Sequence, residues 1–168
     1  MQFIGIDPGK NGGIAFIDEP HVLVYKLSSS CLIQTLTSAS IFTPNGYQLR
    51  NKTNVKFFIE NVQGFPGRSA ATAIAQGKSW GELIGILKVF DIVPIIVQPS
   101  TWKKEFDLLR PKLAYKEKKL LDIQRAKELF PGVNLIPERS KVEHDGMADA
   151  LLIAEYGRRK YESEMMEK

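Results

Sequence analysis

The chain has a single cysteine, Cys31, and only two histidines, His21 and His144, in 168 residues. One thiol cannot form an internal disulfide, and a lone cysteine suits a reducing compartment. Cys31 lies in a serine-rich stretch with no histidine near it in sequence, so a thiolate nucleophile is not expected. The scarcity of His and Cys leaves no zinc-type ligand cluster. No Ser-His-Asp or Cys-His set stands out either, which argues against a protein nucleophile. No apolar run approaches the ~20 residues of a membrane span. The first residues lead straight into a strand-like segment, so neither a membrane helix nor a signal peptide is expected. The expected location is the cytoplasm, with an organellar matrix as the alternative. Internal repeats and low-complexity linkers are also missing.

What is present is an ordinary globular composition, 43% hydrophobic and 25% charged, enough for one domain across residues 1–168 with a core of its own. The net charge of +4 and pI of about 9.1 lean mildly toward an anionic partner. Residues 2–7, 13–18 and 21–27 read as three strands of an antiparallel meander. Gly9, Gly12 and Gly13 lie in the first turn and are expected to turn the chain tightly beside a cleft. Cys31, Leu32, Ile33 and Leu36 suggest a short helix, and Thr43-Pro44-Asn45-Gly46 a turn. Val55 to Asn61 is a strong strand. A helix is expected from Ser69, as N-cap, to about Phe90, with Trp80, Leu83, Ile84, Leu87 and Phe90 at helical spacing. Its Gly77, Gly81 and Gly85 cost about 1 kcal/mol each relative to Ala, which close packing against the sheet or a partner would offset. Ile92 to Val97 reads as a buried strand, placed at an edge or strand start by Pro94. A short helix opens at Pro99, and an amphipathic one runs from about Glu117 to Phe130, with Leu120 on its apolar side and Pro131-Gly132 as its stop. A last helix starts near Asp145 and passes Tyr156; Gly157 is expected to begin a charged tail that frays after about residue 158. The order describes an α/β domain with a mixed sheet flanked by helices.

Carboxylates end three of these apolar elements. Asp7 ends the first strand and Glu60 the fourth. Asp145 and Asp149 are four residues apart, on one helix face. Asp149 stands among residues that read as buried, and an unpaired buried carboxylate costs several kcal/mol. No Arg or Lys lies within helical reach of it on that side, so a cation must come from elsewhere. Hard oxygen ligands select Mg²⁺ or Mn²⁺, and several carboxylates can hold two such ions about 4 Å apart. Structural readings stand beside this one. Asp7 before Pro-Gly suits a turn, Glu60 a solvated strand end, and Asp145 an N-cap. Together, with Asp149 inside an apolar helix, the four are harder to explain structurally.

Ile4-Gly5-Ile6-Asp7-Pro8-Gly9, Phe58-Ile59-Glu60 and Met147-Ala148-Asp149-Ala150-Leu151-Leu152-Ile153-Ala154 resemble the RuvC-type Holliday junction resolvases of the RNase H-like superfamily. The four-residue spacing of Asp145 and Asp149, where classical bacterial members have three, is similar to chloroplast and some phage-type relatives. So is Gly77-Lys78-Ser79-Trp80-Gly81. The resemblance implies an RNase H-like mixed sheet of antiparallel and parallel strands flanked by helices. It implies a homodimer that nicks paired strands of a four-way DNA junction. Asp7, Glu60, Asp145 and Asp149 would then be the ligands of two Mg²⁺ ions, with Mn²⁺ able to substitute. Phe65, in the loop after Glu60, is the candidate wedge at the junction crossover, since an aromatic ring stacks on a base for ~1–3 kcal/mol. Arg68, Lys78, Lys103, Lys104, Lys116, Lys118 and Lys119, within a wider set that includes Lys112 and Arg125, are candidate phosphate contacts. His144 is a candidate to orient a water or a carboxylate. The alternatives are a junction-binding protein that no longer cleaves and an RNase H acting on RNA–DNA hybrids. An actin-like ATPase needs two such domains, which 168 residues do not supply.

Overall fold

Alternating side chains in the first strand are sorted between two separate cores, and that sorting decides where Asp7 points. The computed structural model describes residues 1–9, 11–37, 54–62 and 69–167. The strands are β1 (Gln2–Asp7), β2 (Gly13–Asp18), β3 (His21–Lys26), β4 (Val55–Glu60) and β5 (Ile95–Val97). The helices are α1 (Ser29–Thr37), α2 (Ala70–Val89), α3 (Pro99–Glu105), α4 (Tyr115–Leu129) and α5 (Asp145–Met166). The sheet order is β3-β2-β1-β4-β5, with β1 central. β1–β2 and β2–β3 are antiparallel, whereas β1–β4 and β4–β5 are parallel. This is the mixed α/β sheet expected from the sequence.

Successive strand residues point to opposite faces. Ile4, Ile6, Ile14, Phe16, Phe57 and Ile59 meet Leu32 and Leu36 of α1 and Leu83 and Leu87 of α2. Phe3, Ala15, Ile17 and Phe58 meet the Met147–Ala154 run of α5, Trp102 of α3, and Ile123 and Ala126 of α4. Burying such an aliphatic or aromatic side chain contributes about 1.5–3 kcal/mol, so either core would be costly to lose. Asp7 shares the parity of Phe3 and therefore faces α5. Glu60 shares the parity of Phe58 and faces the same way.

Helix α5 lies on β1 and β2 at backbone distance. A Cβ on Gly5 would overlap the Ala150 carbonyl and the Ala154 amide, and one on Gly13 would overlap the Gly146 carbonyl. The hairpin glycine Gly13 thus admits a helix rather than only turning the chain beside a cleft. The close approach brings the start of α5 up to the end of β1.

Four local expectations are corrected. Helix α5 continues through Gly157 to Met166, because Gly157 is buried beneath the Phe58 ring, where a Cβ would overlap two ring carbons. The absent side chain makes room for a neighbour and does not end the helix. The strand expected over 92–97 is only Ile95–Val97, beginning directly after Pro94, and Ile95 and Ile96 are 46% and 43% exposed on the sheet edge. Leu120 of α4 is exposed, since the helix buries Asp122, Ile123 and Ala126 instead. Gly77, Gly81 and Gly85 do not pack on the sheet: among the described residues nothing lies within 4 Å of a Cβ placed on any of them, which leaves the other expected offset, a partner.

These contrasting glycines make a paired prediction. Gly81→Ala should stabilise the protomer by about 1 kcal/mol through helix propensity. Gly157→Ala gains the same propensity but drives a methyl into Phe58, costing about 1–3 kcal/mol. Denaturant midpoints should therefore move up for the first and stay level or fall for the second.

Candidate active site

Strand pairing sets the two acidic strand ends side by side. Ile6 of β1 is in register with Ile59 of parallel β4, so Asp7 and Glu60 are the next residues along adjacent strands. Carboxyl ends of parallel strands are the usual ligand position in open α/β sheets. Asp145 and Asp149 come from the first two turns of α5. Gly146 lets the helix seat close: a Cβ there would overlap the Asn11 carbonyl and stand 3.0 Å from Asp7 Oδ2. Asp7 therefore reaches the helix backbone between the two α5 carboxylates.

The carboxylates feel one another strongly. The Asp7 carboxyl is pushed up to about 7, first by burial and then by Glu60, with Asp145 adding to the rise; the Gly9 N–H and Lys103 oppose it. Asp149 is raised well above the usual carboxylate range by burial, and Asp122, Asp7 and Glu60 add to this against Lys103. Glu60 is raised by burial, partly offset by the Trp102 indole and Lys103. A cluster of buried like charges behaves this way when no strong cation neutralises it.

Neighbours from three other elements fix these side chains. Gly9 N–H donates to Asp7 Oδ1 at 3.1 Å, so Asp7 does make the local turn expected of an aspartate before Pro-Gly. Trp102 Nε1–H donates to Glu60 Oε1 at 3.0 Å, and Trp102 is fully buried. Lys119 donates to Asp145 Oδ2 and lies 4.8 Å from the Tyr115 ring centroid. Lys103 Nζ donates to Asp122 Oδ2 at 2.7 Å and is 4.0 Å from Asp149 Oδ1. Asp149 Oδ1 is fully buried with no hydrogen-bond partner among the described residues.

His144 is the N-cap of α5, its Nδ1 accepting from Met147 N–H at 3.3 Å. Burial holds its pKa below the ordinary histidine value, with Lys26 and Lys119 reinforcing this against Asp145. A neutral ring is what an accepting Nδ1 requires. The cap is thus the histidine and not Asp145, which leaves that carboxylate to Lys119.

The other sequence candidates lie further out. Lys78 of α2, Lys104 of α3 and Lys116 of α4 are exposed. Lys118 is half-buried and donates to the Pro111 carbonyl at 3.4 Å. Phe65 and Arg68 lie outside the described residues. Lys103 and Lys119, read as phosphate contacts from sequence, stand among the carboxylates. Sequence reasoning missed Trp102 and Asp122. Asp122 carried a legible signal, an acid within Leu120-Leu121-Asp122-Ile123, the same pattern that singled out Asp149.

The donor set suits a hard divalent cation: carboxylate oxygens only, one of them buried and unbonded. As the side chains lie, no three His, Cys, Asp or Glu groups among the described residues stand close enough to hold one. Lys119 engages Asp145, and Trp102 engages one oxygen of Glu60. A cation would draw on Asp7, Glu60, Asp149 and, once freed from Lys119, Asp145. No helix among the described residues is long and apolar enough to cross a membrane.

No family model matches the sequence, and no curated protein does. Solved structures do match. One, Thermus thermophilus RuvC in complex with a Holliday junction substrate, has a TM-score of 0.52 at 16% identity, over 95% of this chain and 96% of that chain. A second Thermus thermophilus RuvC structure has a TM-score of 0.52 at 17% identity, over 96% and 97%. The chain has the RNase H-like fold of RuvC.

Proposed function

We propose that this protein is a Mg²⁺-dependent endonuclease that resolves four-way DNA junctions by paired nicks. One observation carries the reading: Asp7, Glu60, Asp145 and Asp149, from two strand ends and a helix start, act on one another electrostatically at the carboxyl edge of the sheet. The likeness in fold to RuvC supports the substrate class, because the matched structure is a junction complex.

These four residues would hold two Mg²⁺ ions, with Mn²⁺ as a substitute. When bound, the ions supply an activated water and stabilise the leaving oxygen of the phosphodiester. The chain's own groups do the rest. Trp102 holds one oxygen of Glu60 and so fixes the direction of the other. Asp7 is anchored by the Gly9 amide. Lys119 leaves Asp145 and turns to a phosphate. Lys103 remains beside Asp149, while Lys78, Lys104, Lys116 and Lys118, with Arg68, are the proposed contacts to the DNA backbone. Phe65 acts as the wedge at the crossover.

Two active sites on one junction call for a homodimer. The face of α2 carrying Gly77, Gly81 and Gly85, uncovered among the described residues, is the proposed contact. The four-residue spacing of Asp145 and Asp149 supports a proposed kinship with the chloroplast and phage-type relatives. Its location would be the cytoplasm, that of the host for a phage enzyme, or an organellar matrix.

A second reading has its own support: Lys119 occupies Asp145, and among the described residues no three ligands close around a point, as in a junction binder that does not cut. A panel of four-way junction, flap, linear duplex and RNA–DNA hybrid in Mg²⁺ separates the cases. Symmetric paired nicks in the junction are expected. Tight junction binding without cleavage in Mg²⁺ or Mn²⁺ would favour the silent binder, and preferential cutting of the hybrid an RNase H.

A further inference from the structure

Asp122 is a fifth carboxylate at a site already crowded with negative charge. It is 3% exposed and belongs to α4, outside the two strand ends and the start of α5. It raises the protonation tendency of both Glu60 and Asp149, so it worsens the problem a cation would have to solve. A buried acid in such a place needs a compensating task.

Asp122 accepts a hydrogen bond from Lys103. The ammonium is 2.7 Å from Asp122 Oδ2 and 4.0 Å from Asp149 Oδ1. It also sits 4.6 Å from the centroid of the Trp102 ring, and Trp102 is in turn fixed by its hydrogen bond to Glu60. Lys103 thus hydrogen-bonds to Asp122 and stays within ion-pair range of Asp149 Oδ1 without hydrogen-bonding to it. Asp149 Oδ1 is left without a hydrogen bond among the described residues. A flexible lysine side chain with no tether would close that gap and pair with Asp149 directly.

We propose that Asp122 is a positioning residue that holds Lys103 short of a hydrogen bond to Asp149, leaving Asp149 Oδ1 to a divalent cation. The inference rests on the reading of Asp149 as a cation ligand. The lysine lowers the net charge of the site without occupying the ligand, and Asp122 makes the difference between these two positions. Like other groups that orient a ligand from behind, it acts through its neighbour.

The test is Mn²⁺ binding to the full chain without DNA, followed by the loss of the free-ion electron paramagnetic resonance signal. Circular dichroism confirms the fold of each variant. Asp122→Asn should weaken Mn²⁺ binding by about 10- to 100-fold, the usual size for loss of an orienting partner. Asp122→Asn combined with Lys103→Met removes the freed ammonium as well, and binding should return to within about threefold of wild type, a non-additivity expected of groups in contact. Asp122→Glu should keep most of the affinity. Unchanged binding in Asp122→Asn would overturn the tether. So would a double variant that binds as weakly as Asp122→Asn or worse, since Asp122 would then be a ligand or a purely structural group. Wild type that binds no Mn²⁺ would remove the cation reading itself, and the tether with it.

Discussion

Asp7→Asn should abolish cleavage while making the metal-free protein more stable. Loss of the proposed central ligand is expected to lower the rate roughly a thousandfold or more, with junction binding retained because the proposed phosphate contacts lie elsewhere. The stability effect follows from burial. In the fold, the Asp7 carboxyl stays protonated up to about 7, against 3.8 for the free side chain. As pH climbs between those values, the unfolded chain releases a proton that the native chain keeps. Stability is therefore lost across this window as pH rises, and the loss is complete above about pH 7. Asparagine carries no such charge and still accepts from the Gly9 amide. In chelator at pH 8, Tm should rise on the order of 5–10 °C, and the gain should vanish near pH 4. Mg²⁺ should stabilise wild type and leave Asp7→Asn unchanged, since only a bound ligand shifts the folding equilibrium. Thermal melts across pH, with and without Mg²⁺, check all three statements.

Gly5→Val should be the most damaging single substitution in the sheet. Gly5 is in the central strand, and its missing side chain is the space that the α5 backbone fills at Ala150 and Ala154. A side chain there cannot be absorbed by a rotamer change, because the obstacle is main chain. Overpacking a core commonly costs about 1–3 kcal/mol and sometimes more; here about 3 kcal/mol or more is expected, with loss of the register between Asp7 and α5. Ile4→Val, one residue away on the other face, should cost only about 0.5–1.5 kcal/mol. Denaturant unfolding of the pair, with Gly5→Ala as an intermediate case, provides the comparison. A Gly5→Ala midpoint equal to wild type would show that α5 can move off the strand freely.

The two cases also show what sequence reveals. Strands β1, β2 and β4 were legible because alternation and flanking turn residues are local. Helix α2 was legible from Ser69 as a cap and from the spacing of Leu83 and Leu87; Ser69 does accept from Thr72 N–H at 3.2 Å. Asp7, Glu60 and Asp149 could be singled out because each ends or interrupts an apolar run, and Asp145 because it stands one helical turn before Asp149. What stayed hidden is tertiary. Gly157 looks like a helix end until the Phe58 ring is seen above it. Gly5 and Gly13 look like turn or strand glycines until α5 lies across them. Lys103 looks like any surface lysine, and only the folding of α3 against α4 and α5 sets it between Asp122 and Asp149. Helical spacing reports neighbours within one element and is silent about a cation delivered by another.

In the proposed function, four carboxylates from three elements, β1, β4 and α5, act together as a cation-dependent nuclease centre. Cleavage of a synthetic four-way junction by wild type and Asp7→Asn, in Mg²⁺ and in chelator, tests it most directly. Paired nicks from wild type in Mg²⁺ alone, with Asp7→Asn bound to the junction but silent, are the expected result. Equal cutting by Asp7→Asn, or cutting that survives chelator, would contradict it.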